Sequence, residues 1–103
     1  MWYSASLLFQ AVHDSPRKDP VWEESIVLVE ATSENEARRR AEEIGRSSET
    51  GYRTRSGHLV WRFDRVERMF LVEAVGDGRE VFSRFLRDSE VRSLLTPFDD
   101  TEY

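Results

Sequence analysis

The stretch IVLVEATSENEARRRAEEIGR, residues 26–46, decides the fold because a strand pattern in it is followed at once by a helix pattern. Ile26 to Val29 is a continuous apolar run of mostly β-branched residues, which is typical of a strand covered on both faces. Ser33 followed by Glu36 is a capping-box pattern, and Gly45 can end a helix in the left-handed conformation. These signals predict a buried strand and then a helix over 33–44.

The predicted helix has a narrow apolar side and a charged outer side. Ala37, Ala41 and Ile44 recur at helical spacing, and their small side chains favour close packing of the helix on a sheet. The arginines at 38–40 each have a glutamate three or four residues away, which indicates a solvated, charge-balanced face. With 20 acidic against 15 basic residues, the net charge of −5 also argues against nucleic-acid binding.

Strand patterns fill most of the remaining sequence. The predicted elements outside the helix are strands over 2–13 and 21–31, a hairpin over 52–63 turning at Ser56-Gly57 and extended to 72, a strand over 79–87 and a short helix over 89–95. Beyond residue 63 the alternating apolar residues move from odd-numbered to even-numbered positions. This change predicts a bulge near Asp64-Arg65 or burial of the strand on both faces.

The order of these elements predicts an α+β fold. We expect an antiparallel sheet of four to five strands with one main helix packed on one face, in the order β-β-α-β-β-β plus a short C-terminal helix, because the connections are short. The 103 residues suffice for one domain, expected over 1–98, followed by an acidic tail at 99–103.

Composition limits the chemistry and the compartment. The chain has no cysteine, so disulfides and thiolate sites are excluded, and a reducing cytoplasm suits it. No apolar run approaches the roughly 20 residues of a membrane span, and the N-terminal residues do not have the pattern of a signal peptide. The sequence therefore predicts a cytoplasmic protein that does not bind a membrane.

Four segments of the chain carry a family resemblance: the opening MWYSASLLF, the stretch WEESIVLVEA with EARRRAEEIGR after it, the VWRF segment and the ending EVFSRFLRDSEVRSLLTPF. Together they resemble one small, single-domain bacterial family catalogued only as a domain of unknown function. The resemblance covers almost the whole chain. It implies a bacterial, cytoplasmic protein of one domain, and it implies no activity or catalytic residues.

Residues capable of acid–base chemistry are few. Histidine is the side chain most often used as a general acid or base, and His13 and His58 form a hypothetical ligand site with Glu24 and Arg62. Both histidines lie next to predicted loops, where solvent exposure is the ordinary outcome. Since two histidines without a ligand-spacing motif do not define a metal site, we expect no metal, no cofactor and no catalytic residue.

The predicted sheet has more apolar surface than one short helix covers. A helix of about 11 residues is roughly 16 Å long, whereas four or five strands make a sheet about 20 Å across. The terminal segment can cover part of the second face through Val91, Leu94, Leu95 and Phe98. We expect an association surface on the face opposite the helix. Its candidate residues are Trp2, Leu8, Trp22, Phe70 and Phe82.

The leading hypothesis is accordingly a non-enzymatic interaction module that binds a protein, itself included, and forms a homo-oligomer. The alternative is a small-ligand-binding domain or a modest enzyme with a cleft between sheet and helix.

Overall fold

The computed structural model describes residues 1–14, 20–55 and 57–95. The elements are β1 (Trp2–His13), β2 (Trp22–Glu30), α1 (Glu34–Ser47), β3 (Thr50–Thr54), β4 (Gly57–Val72) and α2 (Asp88–Leu95). The predicted fold class is confirmed, since a four-stranded antiparallel sheet carries one main helix, with a short helix at the C-terminal end. Ser56 and the acidic tail lie outside the described residues.

The sheet has the strand order β2-β1-β4-β3, so β1 and β4 are central and β2 and β3 are edges. In the β1–β4 pair the register shifts between Ser6 and Leu7 and again between Leu8 and Phe9. The shifts leave Glu67 and Asp64 as extra residues on β4, so a bulge is present where the parity of the sequence changes.

One face of the sheet packs against α1 and contains the core. Tyr3, Ala5, Leu7 and Phe9 of β1 are buried there, as parity predicts, together with residues of β2, β4 and α1. From the helix, the two buried alanines Ala37 and Ala41 make this contact, because their small side chains bring the helix backbone near the sheet.

The helix begins where the sequence predicts and ends later. Ser33 caps it by accepting a hydrogen bond from the Glu36 N–H at 3.2 Å. Gly45 does not end the helix, which continues to Ser47; an added Cβ at Gly45 would lie 2.3 Å from Cε1 of Phe63. The glycine is therefore needed for the close approach of helix and sheet. On the outer side, Arg40 lies 3.5 Å from Glu43, an ion pair that the spacing predicts.

The strand expected over 79–87 is not formed, and these residues have no regular secondary structure. A turn after β4 reverses the chain. In this turn the Arg79 N–H donates a hydrogen bond to the Gly76 carbonyl at 3.1 Å, and Gly78 has a φ of +80°. Residues 79–84, here called the strap, then lie across the face of the sheet opposite α1, here called the open face. A fifth strand would require a free sheet edge, whereas the strap meets side chains of the sheet face.

Residues 85–95, here called the arm, follow the strap and end with α2. In the described chain, α2 makes no close contact with any other helix or strand, and none of its residues is buried. The Cα radius of gyration is 15.9 Å, larger than the about 13 Å expected of a compact domain of this length. Among the described residues, no helix is long and apolar enough to cross a membrane.

Candidate functional site

The open face holds four of the five residues predicted to form an association surface. The β1–β2 and β1–β4 registers place Trp2, Leu8, Trp22 and Phe70 on it. Phe82 belongs to the strap, where its ring lies 6.4 Å from the ring of Phe70. The structure therefore brings Phe70 and Phe82 together as a partly buried pair.

The two tryptophans are about half exposed and lie far apart. Trp22 is opposite Gln10 of β1, eight residues along that strand from Trp2, which corresponds to about 27 Å. They therefore mark two ends of the open face and do not form one compact cluster.

The sequence analysis did not single out Ile26 and Leu28, which are the exposed apolar residues between those two ends. Val27 and Val29 of the same strand pack towards α1. Ile26 and Leu28 point to the open face and keep 48% and 54% of their surface in solvent. The expectation that Ile26 to Val29 is covered on both faces is therefore wrong, because the strap crosses the sheet elsewhere. In the sequence, the signal for this exposed surface was the run itself, because it is apolar at both its odd-numbered and its even-numbered positions.

Two buried serines of β1 hold the strap on the middle of the open face. Ser4 and Ser6 are almost completely buried. The Ser4 hydroxyl donates a hydrogen bond to the Val81 carbonyl, and the Ser6 hydroxyl donates one to Oε2 of Glu24 at 2.5 Å. The other carboxylate oxygen of Glu24 lies 3.5 Å from Nη2 of Arg84. The small polar side chains of the two serines let the strap lie close to the sheet, and the Val81 carbonyl of the strap keeps a hydrogen bond there.

These contacts also fix the course of the strap. It passes over β4, where Phe82 meets Phe70, and reaches Glu24 of the edge strand β2 through Arg84. The strap therefore crosses the open face diagonally. It leaves the corner around Trp2 and Leu28 uncovered and delivers the arm at the opposite end of β2.

The arm presents its own apolar side chains to solvent. Phe85 is 97% exposed, and Val91, Leu94 and Leu95 lie on one side of α2 and are all exposed. The helix is held by local contacts: the Arg87 N–H donates to Glu90 Oε1 at 2.9 Å, and Arg92 Nε lies 2.8 Å from Asp88 Oδ2. The residues expected to cover the second face, Val91, Leu94 and Leu95, do not cover it within this chain, and Phe98 lies outside the described residues.

The residues of the hypothetical ligand site are spread over the sheet. Glu24 and Arg62 are both on the open face but on opposite sides of β1 and two residues apart along it, so their backbones are about 12 Å apart. His58 shares that face, opposite Arg53, whereas His13 pairs with Leu59, whose side chain is buried on the α1 side. The two histidines are therefore neighbours in the backbones of adjacent strands, but their side chains leave the sheet on opposite faces.

A different cleft is present on the α1 side, past the C-terminal end of the helix. It has a volume of about 290 Å³ and is lined by the aromatic residues Phe9, Tyr52 and Trp61 and by the polar residues Glu23 and Ser25. Trp61 Nε1 donates to the Tyr52 hydroxyl at 3.4 Å. In the part of the chain that the structure describes, no group of three or more His, Asp or Glu side chains could hold a metal ion.

Comparison with known proteins gives one match. A family model with the description "Domain of unknown function (DUF4288)" matches residues 2–83. The matched range includes the whole sheet, α1 and the strap as far as Ser83, and it ends before Arg84 and the arm. No curated protein and no solved structure matches the chain.

Proposed function

Because the chain belongs to the DUF4288 family, whose description assigns no activity, we propose a function from the geometry of the open face. The protein is a non-enzymatic interaction module of the bacterial cytoplasm that binds a protein, itself included, through this face. The observation that carries the proposal is the exposed pair Ile26 and Leu28 on an edge strand.

Edge strands of soluble proteins are usually protected, because their unpaired backbone groups can pair with another chain. In β2, glutamates occupy both ends of the strand, at Glu23, Glu24 and Glu30, while its middle is apolar on both faces. An edge that is apolar at its centre and charged at its ends favours one defined contact over unlimited stacking.

The exposed apolar area of the open face favours association. If a whole aromatic side chain has about 200 Å² and an aliphatic one about 100 Å², Trp2, Trp22, Ile26 and Leu28 leave on the order of 300 Å² in water. Burying that area would contribute about 7 kcal/mol before the cost of association is subtracted.

The double variant Ile26→Glu/Leu28→Glu tests this proposal. We expect it to remove the associated species seen by sedimentation velocity, since charge on this face opposes burial. Val75→Glu is the matched control, because Val75 is also an exposed aliphatic residue but lies in the loop after β4. The proposal is wrong if the wild-type chain is monomeric at high micromolar concentration and the double variant also loses no protein partner from a pull-down in the native host.

A second candidate function is the binding of a small ligand in the cleft beside Trp61. Its volume is near the lower end of the range for ligand pockets, and it combines aromatic walls with Glu23 and Ser25. In a Trp2→Phe/Trp22→Phe background, Trp61 is the remaining tryptophan of the three. A saturable change in its fluorescence with a metabolite library would support ligand binding, and the absence of any change would argue against it.

A further inference from the structure

Among the described residues, the arm ends in an amphipathic helix that packs on no other helix or strand, and the corner of the open face around Trp2 and Leu28 is an apolar surface exposed to solvent. Within one chain the two lie at opposite ends of β2, because the strap reaches this strand at Glu24 while Leu28 and Trp2 are at the other end.

In a dimer whose two-fold axis lies beside the middle of β2, the arm of one copy comes next to the uncovered corner of the other copy. Such an axis places the β2 strands of two copies antiparallel, so that the Glu24 end of one lies next to the Leu28 end of the other. Each arm then begins beside the uncovered corner of the opposite copy. Two-fold symmetry makes both contacts identical, and the assembly closes at two subunits.

We propose that the protein forms a symmetric dimer in which each arm docks on the open face of the second copy. Phe85 and the apolar side of α2 cover Ile26, Leu28 and Trp2 of the opposite copy. This inference rests on the proposed function, in that it uses the same face, and it adds the identity of the partner and the segment that makes the contact.

The areas agree with this arrangement. By the same approximate counting, Phe85, Val91, Leu94 and Leu95 leave on the order of 400 Å² of apolar surface exposed. Together with Trp2, Ile26 and Leu28, which leave on the order of 200 Å² exposed, each subunit then contributes on the order of 600 Å², about three quarters of the about 800 Å² per partner of a standard stable interface. The sheet face alone supplies less than half of that, so a stable dimer requires the arm.

The arm can be tested in the full chain, because α2 supports no other element and its substitution leaves the body of the fold intact. The variant is Phe85→Ser/Leu94→Ser/Leu95→Ser. Its control is Val75→Ser, since Val75 and Leu95 are each 77% exposed. We expect sedimentation equilibrium to show a dimer for the wild-type chain and the control, and a dissociation constant raised at least about 100-fold for the arm variant.

Two outcomes separate this proposal from the function on which it rests. If the arm variant dimerises as tightly as the wild-type chain while Ile26→Glu/Leu28→Glu does not, the face associates without the arm and arm docking is wrong. If the wild-type chain is a monomer at high micromolar concentration, self-association itself is wrong.

Cysteine pairing supplies a second, independent measurement, because the chain has no native cysteine. Copies carrying Leu28→Cys are mixed with copies carrying Leu94→Cys under mild oxidation. A mixed disulfide dimer is expected, in excess of either self-linked dimer. Formation of only an intramolecular disulfide in the double variant Leu28→Cys/Leu94→Cys at low concentration would show that the arm folds back on its own chain, and would overturn the proposal.

Discussion

Gly45 is the residue at which a single methyl group decides how close α1 lies to the sheet. Alanine at an ordinary helix interior position stabilises by about 1 kcal/mol relative to glycine. Here the new Cβ would lie 2.3 Å from the ring of Phe63, a contact that forces the ring or the helix to move. Overpacking of this kind costs about 1–3 kcal/mol. We therefore expect Gly45→Ala to lower the free energy of unfolding by about 1 kcal/mol in urea titrations.

A double-mutant cycle with Phe63→Leu identifies the cause. If the ring is the obstacle, Gly45→Ala costs less, or even stabilises, once the ring is gone. Equal costs in both backgrounds would show that the clash does not control the spacing of helix and sheet.

At the scale of elements, the strap is held by a few polar contacts, so its attachment can be weakened without disturbing the sheet. Ser4→Ala/Glu24→Gln removes the hydrogen bond to Val81 and the carboxylate that meets Arg84. We expect trypsin to cleave after Arg84 at least about tenfold faster in this variant, because proteolysis follows local opening. Ser47→Ala, at an exposed position of α1, is the control. An unchanged cleavage rate would mean that other contacts hold the strap.

The strap also shows where reading the sequence for elements succeeds and where it fails. Residues with a clear period were assigned correctly, because the apolar stripe of α1 and the apolar residues of β1 record which side chains pack between helix and sheet. Residues 79–87 were expected to form a strand, but their apolar residues come as the pairs Val81-Phe82 and Phe85-Leu86, without the alternation of a strand. The strap lies over the sheet face instead, where Val81 and Phe82 meet Ser4 and Phe70.

For the candidate site, the sequence named residues that lie on the open face, but only part of the apolar surface exposed there. Trp2, Trp22 and Phe70 were among the named residues, whereas the exposure of Ile26 and Leu28 depends on the diagonal course of the strap. That course is fixed by Ser4 and Ser6, whose small polar side chains look like solvent-facing residues in the sequence and are in fact buried.

For the whole molecule, the extents are 44 × 32 × 23 Å, and within the described chain α2 makes no close contact with α1 or any strand. An elongated chain with a detached amphipathic end places its apolar surface in two separate regions. Neither region alone reaches the size of a standard interface, and the dimer that we propose unites them in one contact.

The net charge of each subunit predicts how such a dimer responds to salt. Two subunits of charge −5 repel each other, and the repulsion is screened as the Debye length falls from more than 10 Å to less than 8 Å. The contacts proposed for this interface, made by Ile26, Leu28 and the apolar side of α2, are apolar, so screening lowers the repulsion and leaves them in place. We therefore expect the dimer to bind about two- to threefold more tightly at 0.5 M than at 0.05 M sodium chloride, measured by sedimentation equilibrium. Weaker association at high salt would instead indicate that charged groups, and not the exposed apolar residues, make the contact.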